Sequence, residues 1–420
     1  MNIYLQIKSI YIYIMSQLND TKNLHLPDTV YFDVLSTNFE STITTPKVFT
    51  FNESRSNPFV ENPEHYDLSI LRFTVDTGTL PVFIPSIMPN QDDANKTIYS
   101  VSMVQTEILN GKVVDVTDVY QTYITWNPQD KVATQPLAPS LNPSKTQDNN
   151  SGYYNCYSYE WFLYLIYEAM ASSFEKLTGG DDPNFIPYTD TIYTPIIKWD
   201  SASQCAILQG DVNAFNAQNF YQIRLYFNAP LFTLFNSFPS VYNGYDALAA
   251  SDGRNFQIVF PDIGGSNVSQ VFPFGIPSTD AGDFYNVINV YQEYSTVASW
   301  SPITSLVFTS NTLPIEPNQV STPIVFDNGV PIVGGTPANV ENVITDIATE
   351  DGVYRPNVVY VPSGEYRRIH LYGNRPLHNV DISIYYRLKT GVLIPFRLAS
   401  GGSVTLKLAF LKKGRYLNRL

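Results

Sequence analysis

The cleanest hydrophobic pattern in the chain lies near its end. From Ser403 to Phe410, apolar and polar residues alternate almost without error. Val404, Leu406, Leu408 and Phe410 share one face of a strand, and Ser403, Thr405 and Lys407 share the other. Burying those four apolar side chains contributes a gross ~6–12 kcal/mol, as an upper bound. Asp381–Tyr385 repeats the alternation, and Val392–Phe396 is a more continuous apolar run. Thr390-Gly391 and Ser400-Gly401-Gly402 supply turn residues between these runs. The pattern predicts a closing β-meander.

Upstream, the same period recurs in short pieces. Residues 16–60 form a polar arm with one predicted strand, Thr29–Leu35, and Tyr66–Val75 predicts another. Leu80–Met88 reads as extended and interrupted by proline. Thr97–Leu109 and Val113–Trp126 predict a hairpin about Asn110-Gly111, a strong short-range turn signal. The Pro-, Asn- and Ser-rich stretch Asn127–Gly152 predicts a long exposed loop. One helix stands out over Tyr159–Leu177, with Phe162, Ile166, Ala169, Ser173 and Leu177 at helical spacing, Ser158 as its cap and Gly179-Gly180 as its stop. Trp161, Tyr164, Leu165 and Met170 widen its apolar face, so it is expected to be covered. Further strands are predicted at Thr194–Trp199, Ala206–Gln209, Phe220–Phe227, Phe256–Phe260 and Tyr285–Gln292, with a short helix or turn over Pro230–Phe235. Residues 311–323 hold three prolines and read as extended; residues 327–340 read as a loop. No fixed-period repeat is present. The organisation predicted is a 1–60 extension and arm, a β-rich region over 61–300 with a helix inserted at about 158–178, and a β-sandwich portion with a basic tail over 301–420.

Composition sharpens this picture. The 30 Tyr and 25 Phe bring aromatic content to 14%, while only 15% of residues are charged, against ~25% in ordinary soluble domains. With 29 Pro and 22 Gly, this describes short strands, many turns and a surface suited to burial against other subunits. Charge is also uneven. Arg355–Leu420 carries 12 Lys and Arg against Glu365 and Asp381, leaving 13 cations and 36 acids in the rest. An acidic body of −23 thus carries a basic end of +10, which calls for an acidic partner or nucleic acid, or a solvated face offsetting the body. Arg367, Arg368, Lys412, Lys413, Arg415 and Arg419 are the candidate contact residues. Lys412–Arg419 follows the last predicted strand and reads as an extended tail, able to dock on an acidic neighbour or to neutralise a few phosphates.

Little else in the chain is chemical. His25, His65, His370 and His378 stand at no metal-ligand spacing, and Gly179-Gly-Asp-Asp-Pro lacks the ligand ladder of a calcium loop. No phosphate-binding, dinucleotide or nucleophile-elbow motif occurs. The adjacent carboxylates Asp92-Asp93 and Glu350-Asp351 read as solvated loops, and a glycosidase pair across a cleft has no support. Acceptor patterns at Asn19, Asn52, Asn95, Asn149 and Asn267 carry little weight in so Asn-rich a chain. Cys156 and Cys205 are too few for a stapled secreted scaffold and fit a reducing compartment. No apolar run is long enough to span a membrane. Met1–Ile14 lacks the marks of a signal peptide and reads as an upstream in-frame extension, with Met15 the more natural start. The expectation is therefore no enzyme and no cofactor.

Residues 300–317 (Trp-Ser-Pro-Ile-Thr-Ser-Leu-Val-Phe-Thr-Ser-Asn-Thr-Leu-Pro-Ile-Glu-Pro), Pro362–His370 through Leu411-Lys-Lys, and the aromatic helix at Tyr153–Ala171 resemble capsid proteins of small eukaryotic DNA viruses of the virophage and polinton-like kind. That resemblance implies a jelly-roll β-sandwich, either single with large insertions, as in a minor capsid or penton-type vertex protein, or two in tandem, as in major capsid proteins. It implies a virion shell protein that self-assembles into an icosahedral particle, with copies of itself and other capsid proteins as partners and packaged nucleic acid as a candidate partner of the basic end. The competing expectation is a carbohydrate- or receptor-binding β-sandwich whose exposed Tyr and Trp stack on sugars.

Overall fold

The computed structural model describes residues 27–38, 47–129, 139, 147–149, 152–180, 182–261, 268–271, 284–319, 324–327, 330–333, 340–348, 357–360 and 368–414. Eight strands build a two-sheet sandwich: β1 (Thr29–Thr37), β2 (Thr50–Ser54), β3 (Tyr66–Asp76), β4 (Ile303–Thr309), β5 (Val343–Ala348), β6 (Asn357–Tyr360), β7 (Asn379–Leu388) and β8 (Ser403–Lys412). The first sheet runs β1–β8–β3–β6, with the short strand Ile369–His370 also on β3. The second runs β5–β4–β7, and β2 and Leu393–Pro395 share the far edge of β7. All pairings are antiparallel. The chain crosses between the sheets at nearly every step, and this connectivity is a single eight-stranded jelly roll.

The alternation read in Ser403–Phe410 is realised in full. Val404, Leu406, Leu408 and Phe410 are buried, facing a core that includes Leu306, Phe308, Ile382, Ile384 and Phe396. Phe73 of the first sheet meets Phe308 of the second at 5.0 Å between ring centroids. The predicted closing meander is corrected, however. β7 and Leu393–Pro395 form a hairpin, but β8 leaves it and inserts between β1 and β3 in the opposite sheet. Periodicity states which side chains face the core; it does not state which strand lies alongside. β3 carries a bulge at Leu71, since Lys407 pairs with Arg72 and Leu408 with Ile70. The extra residue shifts the inward set from Leu68 and Ile70 to Phe73 and Val75.

Residues 77–302 are inserted between β3 and β4. They form a six-stranded sheet, ordered Ser240–Tyr242, Phe256–Ile258, Tyr221–Phe227, Lys96–Leu109, with Lys112–Asp115 and Tyr120–Thr125 on the last of these. A second sheet is ordered Val268–Val271, Tyr285–Tyr291, Cys205–Asp211, Ile196–Asp200. Helix α1 (Tyr159–Thr178) packs on both sheets and buries Phe162, Ile166, Met170 and Leu177. Ser158 takes the cap position in an extended conformation, but its side chain makes no capping bond, correcting that expectation. The Asn110-Gly111 turn forms as predicted, with both residues at positive φ (52° and 74°). Where a loop was expected over 327–340, Val330–Val333 pairs with Ile324–Asp327 as a small hairpin.

The insertion leaves and rejoins the jelly roll at one aromatic junction. Phe83, just after β3, and Trp300, just before β4, lie 5.4 Å apart and both contact Phe162 of α1. Trp300 Nε1 donates to the Leu234 carbonyl at 2.8 Å. Ile84 packs against the cores of both the insertion and the sandwich.

Candidate assembly surfaces

The basic end is anchored on the body of its own chain. Lys412 closes β8, and its N–H donates to the Asp28 carbonyl at 2.9 Å. Lys413 N–H donates to His65 O at 2.8 Å, and its ammonium donates to Leu371 O at 3.0 Å. That ammonium also sits 3.9 Å from the buried Asp67 carboxylate, which is 2.6 Å from His370 Nδ1. Tyr66 hydroxyl donates to Pro27 O at 2.7 Å, so the residues just before β1 and the end of β8 lie at the same corner of the first sheet. Arg368, half-buried, directly precedes the strand that pairs with Leu68 and Asp67. Of the six candidate cations, the structure brings Arg368, Lys412 and Lys413 to this corner; Arg367, Arg415 and Arg419 lie outside the described residues, as does Met1–Ile14. The expected tail therefore does not begin at Lys412, because two of its residues are bonded into the sandwich.

Two further surfaces were not read from the sequence. On the outer face of the first sheet, Tyr31, Leu35 and Val359 are exposed. β1 carries large apolar residues on both faces, Phe32 and Val34 inward and Tyr31 and Leu35 outward either side of Asp33, and that two-sided pattern is the signal that could have exposed it. The other surface is an aromatic cluster at the edge of the insertion. Tyr242 packs on Tyr245 and Phe256 at 4.9 Å, and Phe232 stacks on Phe256 at 3.9 Å. Tyr245 is 91% exposed, and Leu248 beside it in sequence is also exposed. Asp246 holds the loop by accepting from Leu248 N–H at 2.9 Å. Composition showed that aromatics were abundant, but not which of them the fold leaves outside.

The buried polar groups are structural. Asp381 accepts from the hydroxyls of Ser310 and Thr312 and from the N–H groups of Asn311 and Thr312. Burial pushes its pKa up, but these donors together outweigh burial and hold it below the ordinary carboxylate value. Asp211 caps a short turn, accepting from Asn213 N–H at 2.8 Å and Tyr193 N–H at 3.0 Å. Here burial dominates and raises the pKa to about 6 against those two bonds. Asp182, in the loop weighed for calcium, spends its carboxylate on the N–H groups of Asp118 and Asn184. Cys156 and Cys205 are free thiols, both buried. Among the described residues, no group of three or more His, Cys, Asp or Glu is placed to hold a metal, and no helix is long and apolar enough to cross a membrane.

Comparison with known proteins gives these surfaces a context. A family profile described as Sputnik minor capsid protein V18/19 matches residues 30–412, from the second residue of β1 to the last of β8. The chain is 33% identical over 178 residues to uncharacterized protein V18 of Sputnik virophage, spanning 41% of this chain and 99% of that protein. It is 29% identical over 194 residues to structural protein V19 of the same virophage, spanning 46% and 82% respectively. In three dimensions it matches a chain of the cryo-EM structure of the Sputnik virophage with TM-score 0.70 and 27% identity, covering 92% of this chain and 99% of that one. It also matches the mavirus penton protein with TM-score 0.54 and 13% identity over 92% and 100%, a likeness of fold alone.

Proposed function

The chain belongs to the Sputnik minor capsid protein V18/19 family and is a capsid structural protein of the virion; from that premise we propose that it forms the vertex capsomer of an icosahedral shell. The observation carrying this reading is the single jelly roll, matched by the family over its whole length. A facet protein with two tandem jelly rolls needs a second set of eight strands. Here residues 77–302 instead form two sheets of a different strand order around α1. The likeness of fold to a penton protein supports the same position. The role is non-enzymatic: the protein acts by assembling with its own copies and with other capsid proteins.

The test is the oligomeric state of the purified full chain, read by analytical ultracentrifugation and electron microscopy. Closed rings of identical subunits are expected, since vertex capsomers are cyclic. A chain that stays monomeric at high concentration, alone and with the major shell protein, sinks the reading.

Arg367, Arg368, Lys412, Lys413, Arg415 and Arg419 are the contact to the acidic surface of an adjoining subunit or to packaged nucleic acid. Support comes from the opposed charges of body and end, and from the gathering of Arg368, Lys412 and Lys413 near one corner. The two partners separate in a salt series with duplex DNA. Phosphate contacts give a slope that falls by ~0.9 for each cation removed. Subunit docking leaves DNA unbound and makes capsomer stability salt-dependent instead.

A further inference from the structure

The pairing register places the outward side chains of the first sheet in rows. In one row Leu35 lies opposite Thr405, Thr405 opposite Thr74, and Thr74 opposite Val359. This row crosses all four strands without a charge. Leu35 is 69% exposed at one end and Val359 is 64% exposed at the other. The adjoining row is Asp33, Lys407 and Arg72. Lys407 is neutralised within the face, 3.8 Å from Asp33 and 5.1 Å over the Tyr31 ring. Arg72, exposed beside it, has no ion-pair partner among the described residues.

We propose that this outer face, formed by β1, β8, β3 and β6, is the surface on which a second copy of the chain sits, with Leu35 and Val359 as its apolar contacts and Arg72 paired to a carboxylate of that copy. The inference rests on the vertex-capsomer reading and names the face that reading leaves open. Size fits: three strands of 9, 11 and 10 residues and the four-residue β6, ~4.8 Å apart, present an area on the order of 500 Å², toward the ~800 Å² per partner of a standard interface. Charge fits as well, because 36 of the 38 acidic residues lie before Arg355, so a neighbouring copy offers carboxylates and few cations. Two large aliphatic side chains held in water on a sheet face are a liability that such a contact removes.

The experiment places a thiol on the face. Leu35→Cys and Val359→Cys are made separately in the full chain, whose native Cys156 and Cys205 are buried, and maleimide labelling is followed in assembled rings and in dissociated subunits. Labelling about tenfold slower in the rings is expected, since the reagent must wait for the contact to open. Equal rates in intact rings overturn the inference while leaving the vertex reading standing. A Leu35→Glu, Val359→Lys double variant is expected to lose rings while melting at the midpoint of dissociated wild-type subunits. Rings that persist in it also overturn the inference. A wild-type chain that forms no oligomer overturns the vertex reading and this face together.

Discussion

Two buried carboxylates respond to acid in opposite senses. Asp381 is held below its ordinary pKa by four donors, so its stabilisation is present above the unfolded value and is lost as pH falls through the lowered one. Asp211 is raised to about 6, so its contribution is fully present below the unfolded value and is lost as pH rises through about 6. On acidification the two therefore act against each other, Asp211 adding stability as pH falls through about 6 and Asp381 withdrawing it at lower pH. Asp381→Ala strands the Ser310 and Thr312 donors and is expected to cost about 2–4 kcal/mol in denaturant unfolding at neutral pH. Asp211→Asn is expected to flatten the rise in stability between about pH 7 and about pH 4, whatever it does to the absolute level. Neither carboxylate stands out in the sequence, where both sit in ordinary strand-end contexts. Their environments are made by segments distant in the chain, as when Ser310 reaches across to Asp381.

At the scale of elements, the sequence is informative wherever a signal is local. The Asn110-Gly111 hairpin, α1 and the faces of β8 all follow from residues within reach of one another. Partner choice does not, which is why β8 reads as the neighbour of β7 yet pairs with β1 and β3. Close approach is hidden for the same reason. Gly210, within Cys205–Asp211, has an unexceptional backbone, but a Cβ there falls 2.5 Å from Phe260 and 2.9 Å from Phe215. Gly210→Ala is expected to destabilise by about 1–3 kcal/mol through overpacking. Gly111→Ala, with nothing within 4 Å but φ at +74°, is expected to cost about 1 kcal/mol through backbone conformation. Urea denaturation of the two variants separates these causes, because Asn at position 111 recovers most of the loss and Asn at 210 deepens it.

For the whole molecule, charge asymmetry pointed to the C-terminal end, and the fold shows how that end is held. Ending the chain after Leu411 instead of after Gly414 removes the bonds to Asp28, His65 and Leu371 and is expected to cost about 3 kcal/mol, at ~1 kcal/mol per bond. The outer face bearing Leu35 and Val359 was not legible, because its residues come from four strands spread from Thr29 to Lys412. The place of β8 also bears on biogenesis. It is the last strand of the jelly roll to be synthesised, yet it lies in the interior of its sheet, between β1 and β3. Until Ser403–Lys412 has left the ribosome, those two strands have no neighbour between them and the core side chains Phe32, Val34, Phe73 and Val75 lack their cover. The inserted segment 77–302 meets no such delay, since its strands pair among themselves. Synthesis therefore passes through a nascent chain with a formed insertion and an open, strand-hungry sandwich. That interval of high contact order is when association with other nascent copies competes with folding.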